Sequence, residues 1–457
     1  MKIVILGAGQ VGTTVAENMA SEGNDITVVD VDRQRLLAMQ DRLDLRTVTG
    51  NASHPSVLAE AGIADADLLI AVTQSDEINL VACKLAAKMF NVPRRVARLR
   101  AADFLEDERV LGDEGFDIDL AICPEQVLTD YIAKLVEFPE ALQVLDFADG
   151  RVSLVAVRAY QGGPLVGSPV ADIRKHMPAI DARIVAIFRQ DKSIHVDGDS
   201  VIEAGDEVFC LAAAKDIRQV MRELRRMDKP VERIMIAGGG KIGLRLAKSL
   251  ERDYSVRVIE HNKARCEQLA SQLERALLLQ GDGTDEGLLE EENIAQMDLF
   301  VAVTNDDENN IMSSLLAKKM GARRVVALIN RRSYVDLLQS GQIDIAISPA
   351  QATIGKLLAH VRRGDVVAVH SLRRGAAEAL EAVVHGDRDS CRLTGRRIDE
   401  IELPKGATIG AIVRGDEVLM AHHDIQIRAE DHVIVFVSDK KMLPRVEKLF
   451  QVSARFL

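Results

Sequence analysis

The chain carries Gly7-Ala8-Gly9-Gln10-Val11-Gly12 directly after a short apolar run and at the start of a stretch with helical spacing. In that context three glycines point to phosphate chemistry. The first makes a tight turn, the second lets the backbone approach a pyrophosphate, and the third lets helix and strand pack closely. The helix N-terminus adds unpaired N–H groups and the positive end of its dipole. Eighteen residues after Gly12, Asp30 closes the next apolar run. A carboxylate there can accept both hydroxyls of an adenosine ribose and repels a 2′-phosphate. That favours NAD over NADP and leaves ATP and ADP admissible.

The same groups occur twice. Gly238-Gly239-Gly240-Lys241-Ile242-Gly243 repeats the glycine signature 231 residues on, and Glu260 repeats the acid 17 residues after Gly243. Gly50-Asn51-Ala52-Ser53 returns as Gly281-Asp282-Gly283-Thr284. Leu69-Ile70-Ala71-Val72-Thr73 with Asp76, Glu77 and Asn79 returns as Phe300-Val301-Ala302-Val303-Thr304 with Asp307, Glu308 and Asn310. The chain is therefore a duplicated unit of about 230 residues. Asn51 and Asp282 follow a third strand, where a polar side chain can meet an adenine edge. Thr73, followed by Gln74, and Thr304 end a fourth strand beside the crevice where such sheets bind ligands. Turn formation and helix capping account for the same residue types equally well. Arg98 and Arg100 lie at or just beyond a fifth strand, where guanidinium clamps phosphate. The matching stretch Val326-Ala327-Leu328-Ile329-Asn330 has no arginine until Arg331, so the two sites should differ in affinity or ligand.

These residues need elements to hold them. In the first unit, residues 2–6, 26–30, 46–48, 68–72 and 95–99 read as strands, and 12–22, 33–42, 54–61 and 77–90 as helices. Alternating β and α elements imply a parallel sheet with helices on both faces. Pro124 to Phe138, and Pro349 to Val361, read as connecting helices. Each unit then changes texture, with strands expected at 151–158, 184–188 and 207–212, and at 366–369, 408–414 and 432–437, before a closing helix. The expected fold class is α/β: two tandem Rossmann-like doubly wound parallel sheets, each followed by a small α+β domain. The expected domains are 1–145 with its connecting helix, 146–228, 232–362 and 363–457. Arg225-Arg226-Met227-Asp228-Lys229-Pro230 is the expected linker.

Composition narrows the functions. The chain has 457 residues, 47% of them apolar, enough for three or four domains with sizeable cores. A formal net charge of −12 argues against direct nucleic-acid binding, and 3% aromatics with no Trp argues against a base-stacking platform. Five cysteines lie far apart, as expected of reduced buried thiols. No window approaches the roughly 18 apolar residues of a membrane span. Met1-Lys2 leads straight into a strand, so no secretory leader is expected. The acidic runs Glu290-Glu291-Glu292 and Asp306-Asp307-Glu308 read as a solvated helix face or helix N-terminal charges rather than cation sites. No Ser/His/Asp order, H-E-x-x-H or Walker lysine occurs. His422-His423 falls on an expected strand, where alternate side chains make a poor metal pair.

The tandem glycine units, the Val72-Thr73-x-x-Asp76-Glu77-x-Asn79 stretch and the small domain after each resemble the RCK (regulator of potassium conductance, or KTN) family over essentially the whole chain. By that resemblance Gly7, Gly9, Gly12, Asp30, Thr73 and Arg98, and Gly238, Gly240, Gly243, Glu260 and Thr304, are nucleotide positions for NAD(H) or ATP/ADP. Gln10, Val11, Lys241 and Ile242 complete the two loops. Two full units in one soluble chain imply a cytoplasmic regulatory subunit, peripheral on the inner face of the inner membrane. It would form a ring, a homotetramer, docked on an integral potassium-translocating subunit of the TrkH type. It would catalyse nothing. The residues alone leave two rivals open: an NAD-dependent oxidoreductase, which needs a proton donor near the nicotinamide, and a scaffold whose nucleotide sites are vestigial.

Overall fold

The computed structural model describes residues 1–457 except 21–22, 106, 191, 195, 225–228, 332–333, 335–342, 362–365, 373–376, 423 and 453–457. Most of the expected linker, the expected edge at 362/363 and His423 thus lie outside the described residues.

The first unit opens with β1 (Lys2–Leu6), α1 (Gln10–Ala20), β2 (Asp25–Asp30), α2 (Arg33–Gln40), β3 (Arg46–Thr49), α3 (Pro55–Glu60), β4 (Leu68–Ala71), α4 (Asp76–Lys88), β5 (Arg95–Arg98) and β6 (Leu120–Ile122). Its six strands are parallel in the order β3-β2-β1-β4-β5-β6. The order reverses beside β1, which puts the crevice above Leu6 and Ala71. β1 and β4 are buried almost end to end, as strands covered by helices on both faces must be. The sixth strand escaped the sequence reading because three residues carry no period.

α5 (Pro124–Glu137) leads into an antiparallel sheet of β7 (Ala141–Phe147), β8 (Val152–Arg158), β9 (Ala182–Arg189), β10 (Lys192–Ile194) and β11 (Glu207–Ala213), closed by α6 (Ile217–Leu224). The second unit repeats the plan with β12 (Arg233–Ala237), α7 (Lys241–Leu250), β13 (Ser255–Glu260), α8 (Lys263–Ala270), β14 (Leu277–Gln280), α9 (Glu286–Glu291), β15 (Leu299–Ala302), α10 (Asp307–Lys319), β16 (Val325–Leu328) and β17 (Ile345–Ile347). α11 (Pro349–Val361), β18 (Val366–Leu372), β19 (Ala377–Val383), β20 (Ala407–Arg414), β21 (Glu417–Met420), β22 (His432–Val437) and α12 (Leu443–Phe450) complete it.

Several expectations change here. Each small sheet has five strands, not three. β7 pairs with β8 along Ala141–Phe147, so it runs through the expected boundary at 145/146. β19 reads Ala-Glu-Ala-Leu-Glu-Ala-Val, rich in helix formers. Pairing with β18 and β22 on both sides makes it a strand and buries Glu378 and Glu381. His422 lies past the end of β21, not on a strand.

The two units are interlocked. α5 of the first packs on α7 of the second, where Leu128 and Ile132 share a core with Leu246, Ala247 and Leu250. α11 of the second packs on α1 of the first, joining Ile354, Leu357 and Leu358 to Val15, Ala16 and Met19. The small sheets face each other through Phe147, Leu154, Phe209 and Leu211 on one side and Leu372, Val413, Ile434 and Phe436 on the other. Val185 and Gly410 sit at matching bulges of β9 and β20. A Cβ on Gly410 would stand 2.7 Å from Leu211 Cδ2 and 3.3 Å from Val185 Cγ1. A side chain there would have to push Leu211 aside, so the glycine eases the close approach of the sheets.

Candidate nucleotide sites

Both glycine loops are built alike. Gly7 and Gly238 adopt φ of +109° and +112°, a turn open to glycine. A Cβ on Gly12 or Gly243 would fall 1.9 Å from the carbonyl oxygen of Gly7 or Gly238, so each third glycine seats its helix on the loop. At Gly9 and Gly240 the space within 4 Å of a Cβ is empty. The open side lies where a pyrophosphate would approach the N-termini of α1 and α7. Neither helix has an acid in its first turn to compete for the free N–H groups. Gln10 and Lys241 are exposed at these termini, and Val11 and Ile242 are half-buried.

The acids stand over their loops. Ala8 N–H donates to Asp30 Oδ2 at 2.6 Å, and Asp32 N–H to Oδ1 at 2.8 Å. Gly239 N–H donates to Glu260 Oε2 at 2.9 Å, and Asn262 N–H to Oε1 at 2.8 Å. Each carboxylate oxygen retains a lone pair for a ribose hydroxyl. These bonds fix the carboxylates before any ligand arrives.

Thr73 and Thr304 serve an internal device. The Thr73 hydroxyl donates to Asn79 Oδ1 at 2.7 Å, and the Thr304 hydroxyl to Asn310 Oδ1 at 2.7 Å. The same asparagines donate to the carbonyls of Arg98, at 2.8 Å, and Leu328, at 2.9 Å, and so clamp the ends of neighbouring strands. Gln74 is exposed beside Thr73. Asn51 Oδ1 accepts from Ser53 N–H at 3.0 Å, and Asp282 Oδ1 from Thr284 N–H at 2.9 Å, so both shape turns. Hydrogen bonds from Thr284 hold the Asp282 carboxyl below its ordinary value.

The first site contains a buried charge cluster with no counterpart among the described residues of the second, where Arg331 instead donates to exposed Glu308 at 2.7 Å. Arg98 Nη2 lies 3.6 Å from Glu125 Oε1, and Arg100 Nε donates to the same oxygen at 2.8 Å. Burial works to raise the Glu125 carboxyl, but its own backbone N–H, Arg98 and Arg100 outweigh it and hold it low. Burial pulls the Arg98 guanidinium below its usual value, and Glu125 opposes this. Buried Asp76 accepts the N–H groups of Arg100 and Ala101 on Oδ2 at 2.8 and 2.9 Å. Its Oδ1 and Arg98 Nε are buried without a partner among the described residues. In the second unit Asp307 likewise accepts from Asn330 and Arg331 N–H, but Asn330 Nδ2 also reaches its Oδ1 at 2.9 Å. Register places Leu328 and Asn330 where Arg98 and Arg100 stand. Asp76 and Glu125 had no assigned role in the sequence reading, and Asp307 only that of a helix-face or helix N-terminal charge. The repeated Asp-Glu-x-Asn was the available signal for Asp76 and Asp307, and nothing marked Glu125.

The open cradles at Gly9 and Gly240, the poised acids and the unpartnered Arg98 and Asp76 atoms fit a dinucleotide or adenine nucleotide. Among the described residues no group of His, Cys, Asp and Glu could hold a metal ion, and no helix is long and apolar enough to cross a membrane. Of the acidic runs, Asp306 caps α10 and buried Asp307 holds the chain after β16, while Glu290–Glu292 lies at the C-terminal end of α9, where Glu292 pairs with Arg257.

Known proteins share this arrangement. The TrkA-N domain matches residues 3–124 and 234–349, and the TrkA-C domain residues 154–225 and 388–451. The chain is 57% identical to the Trk system potassium uptake protein TrkA of Halomonas elongata, with all of both chains covered. It is 56% identical to that of Vibrio alginolyticus, again over all of both chains. The crystal structure of the GsuK RCK domain superposes with a TM-score of 0.62 at 18% identity, covering 98% of this chain and 94% of that one, which establishes likeness of fold. The duplicated domain pairs and the full-length identity place the chain in the TrkA family of Trk system potassium uptake proteins.

Proposed function

We propose that the protein is a nucleotide-sensing regulatory subunit of a potassium uptake transporter and catalyses no reaction. The carrying observation is the pair of preformed glycine cradles, each with a poised ribose-facing acid, in two units locked together by exchanged helices. NAD(H), ATP and ADP are the ligands this geometry supports. Solved structures of the same fold include the GsuK channel bound to NAD and GsuK bound to ADP. When bound, the nucleotide supplies a phosphate charge that differs between ATP, ADP and NADH. The chain's own groups do the rest: the α1 and α7 N-termini hold phosphate, Asp30 and Glu260 orient ribose, and Arg98 with Arg100 reads extra charge at the first site. A ligand shifts a two-state assembly only by its different affinity for the two states. Interlocked units, assembled as a homotetrameric ring on the cytoplasmic membrane face, would transmit that difference to the TrkH-type membrane subunit on which the ring docks.

Calorimetric titration with NADH, NAD, ATP and ADP tests this, beside a dehydrogenase assay on alcohols and hydroxy acids. Saturable binding without turnover is expected. Asp30→Ala should weaken NADH binding by about 1–3 kcal/mol, the scale of lost charged hydrogen bonds. Turnover of NADH, or unchanged binding in Asp30→Ala, overturns the reading.

A further inference from the structure

We propose that Arg245, carried by the second unit, is a positioning residue of the first unit's nucleotide site, so that the first site is incomplete without the second half of the chain. The proposal rests on reading both glycine loops as nucleotide sites. α7 starts at Lys241, immediately after Gly240, and Arg245 lies about one turn along it. Its guanidinium leaves its own unit. Nη2 donates to the Arg100 carbonyl at 3.2 Å, while Nη1 donates to Gln126 Oε1 at 3.0 Å and lies 3.5 Å from Cys123 Sγ.

These contacts complete a clamp on Arg100. Asp76 takes the N–H groups of Arg100 and Ala101, Glu125 takes the Arg100 side chain, and Arg245 takes the Arg100 carbonyl. A rigid planar fork of donors suits three acceptors from two elements, as a lysine would not. Arg245 also brings a third guanidinium to a cluster in which Arg98 and Arg100 share one carboxylate, Glu125. The excess positive charge favours an anion in the first crevice.

Packing alone does not call for this arginine. The exchanged contact on the other side, α1 against α11, joins apolar side chains among the described residues, and Thr14 stands where the repeat would put Arg245. Among the described residues the link runs one way, from the helix whose N-terminus faces the second glycine loop to the strand end of the first site. A shift of α7 on nucleotide binding reaches Arg100 through one side chain.

Titration of the full-length chain with ATP and with NADH, in wild type, Arg245→Ala and Arg245→Lys, tests the link, with Asp30→Ala identifying the first-site heat. Arg245→Ala should weaken the first site about tenfold, within the usual range of coupling between sites, and leave the second unchanged. Arg245→Lys should recover only part. Unchanged first-site affinity, or a loss confined to the second site, overturns the proposal, because a merely local role for Arg245 would show in its own unit. Should Arg245→Ala fail to fold, Gln126→Leu removes one anchor of the fork. A smaller first-site loss then supports the link, and no loss overturns it. A wild-type chain that binds neither nucleotide overturns the sensor reading itself, before any substitution is made.

Discussion

The two nucleotide-binding sheets share a backbone and differ in charge. Both turn at a positive-φ glycine, pin a carboxylate over the loop and clamp two strand ends with a buried asparagine. The first then places Arg98, Arg100 and Glu125 at its crevice, and the second places Leu328, Asn330 and Ala350 at the corresponding points. The second carries its cation on the loop instead, as Lys241 where the first has Gln10. Duplication kept what holds a phosphate-binding turn together. The charged groups beside it were free to diverge, because they lie at a strand end and a helix start that no turn geometry fixes.

The largest expected effect tests the shared part. Gly12→Ala and Gly243→Ala each drive a Cβ into a backbone carbonyl at 1.9 Å. Both should cost more than about 3 kcal/mol, the range of severe core disruptions, with equal losses in thermal unfolding. A mild effect in one unit only would break the structural equivalence of the two loops.

The next effect comes from an asymmetry between the small domains. His370 on β18 stands where β7 has Leu145. Its Nε2 lies 3.2 Å from the Asp146 carbonyl, its ring meets Phe147 edge-on at 4.9 Å, and burial pushes it down to about 4. The carbonyl partner requires the proton on Nε2 of a neutral ring. The sign follows from linkage: the unfolded chain takes up a proton near the ordinary value of 6.5, the folded chain only near 4. Stability is therefore full above 6.5 and falls as pH drops from 6.5 toward 4, by about 3 kcal/mol. His370→Leu, the residue of the other unit, should remove this component from denaturant unfolding followed against pH. An unchanged pH profile would place the ring in contact with water.

A smaller effect exchanges the sites. Arg98→Leu, Arg100→Asn and Glu125→Ala together give the first unit the second unit's residues and remove the cations along with their buried acid. Folding should survive, since the amide introduced by Arg100→Asn would reach the Asp76 oxygen equivalent to the one that Asn330 satisfies on Asp307. Affinity at the first site should fall by about 1–3 kcal/mol, the worth of hydrogen bonds to charged groups. ATP should suffer more than NADH. Equal loss for both nucleotides would show that the cluster does not read phosphate charge.

Much of this was legible in the sequence because it is local. A glycine turn, an acid at a strand end and an asparagine one helical turn past a capped start each leave their mark within a few residues, and the duplication wrote each mark twice. The exchange of α5 and α11 left none, since an apolar helix face does not say which unit it will cover. Nor did β19, whose Ala and Glu residues favour helix until two neighbouring strands claim them. Arg245 escaped for the same reason as the helix exchange, since its meaning depends on a contact between halves, and Glu125 because its partners Arg98 and Arg100 lie about 25 residues back along the chain.

The smallest expected change in stability is the one that most directly tests ligand binding. At Gly9 and Gly240 a methyl group meets nothing within 4 Å, and neither residue has a positive φ. Gly9→Ala and Gly240→Ala should leave unfolding within about 0.5 kcal/mol of wild type, as for surface substitutions away from special features. The same methyl would stand in the path of a pyrophosphate on the helix N-terminus. Titration should therefore show weakened nucleotide binding at the substituted site and normal binding at the other. The pair separates the roles of the glycines: Gly12 and Gly243 are required by the fold, Gly9 and Gly240 only by the ligand. Nucleotide binding that tolerates both alanines would mean the phosphates lie elsewhere than over the α1 and α7 termini.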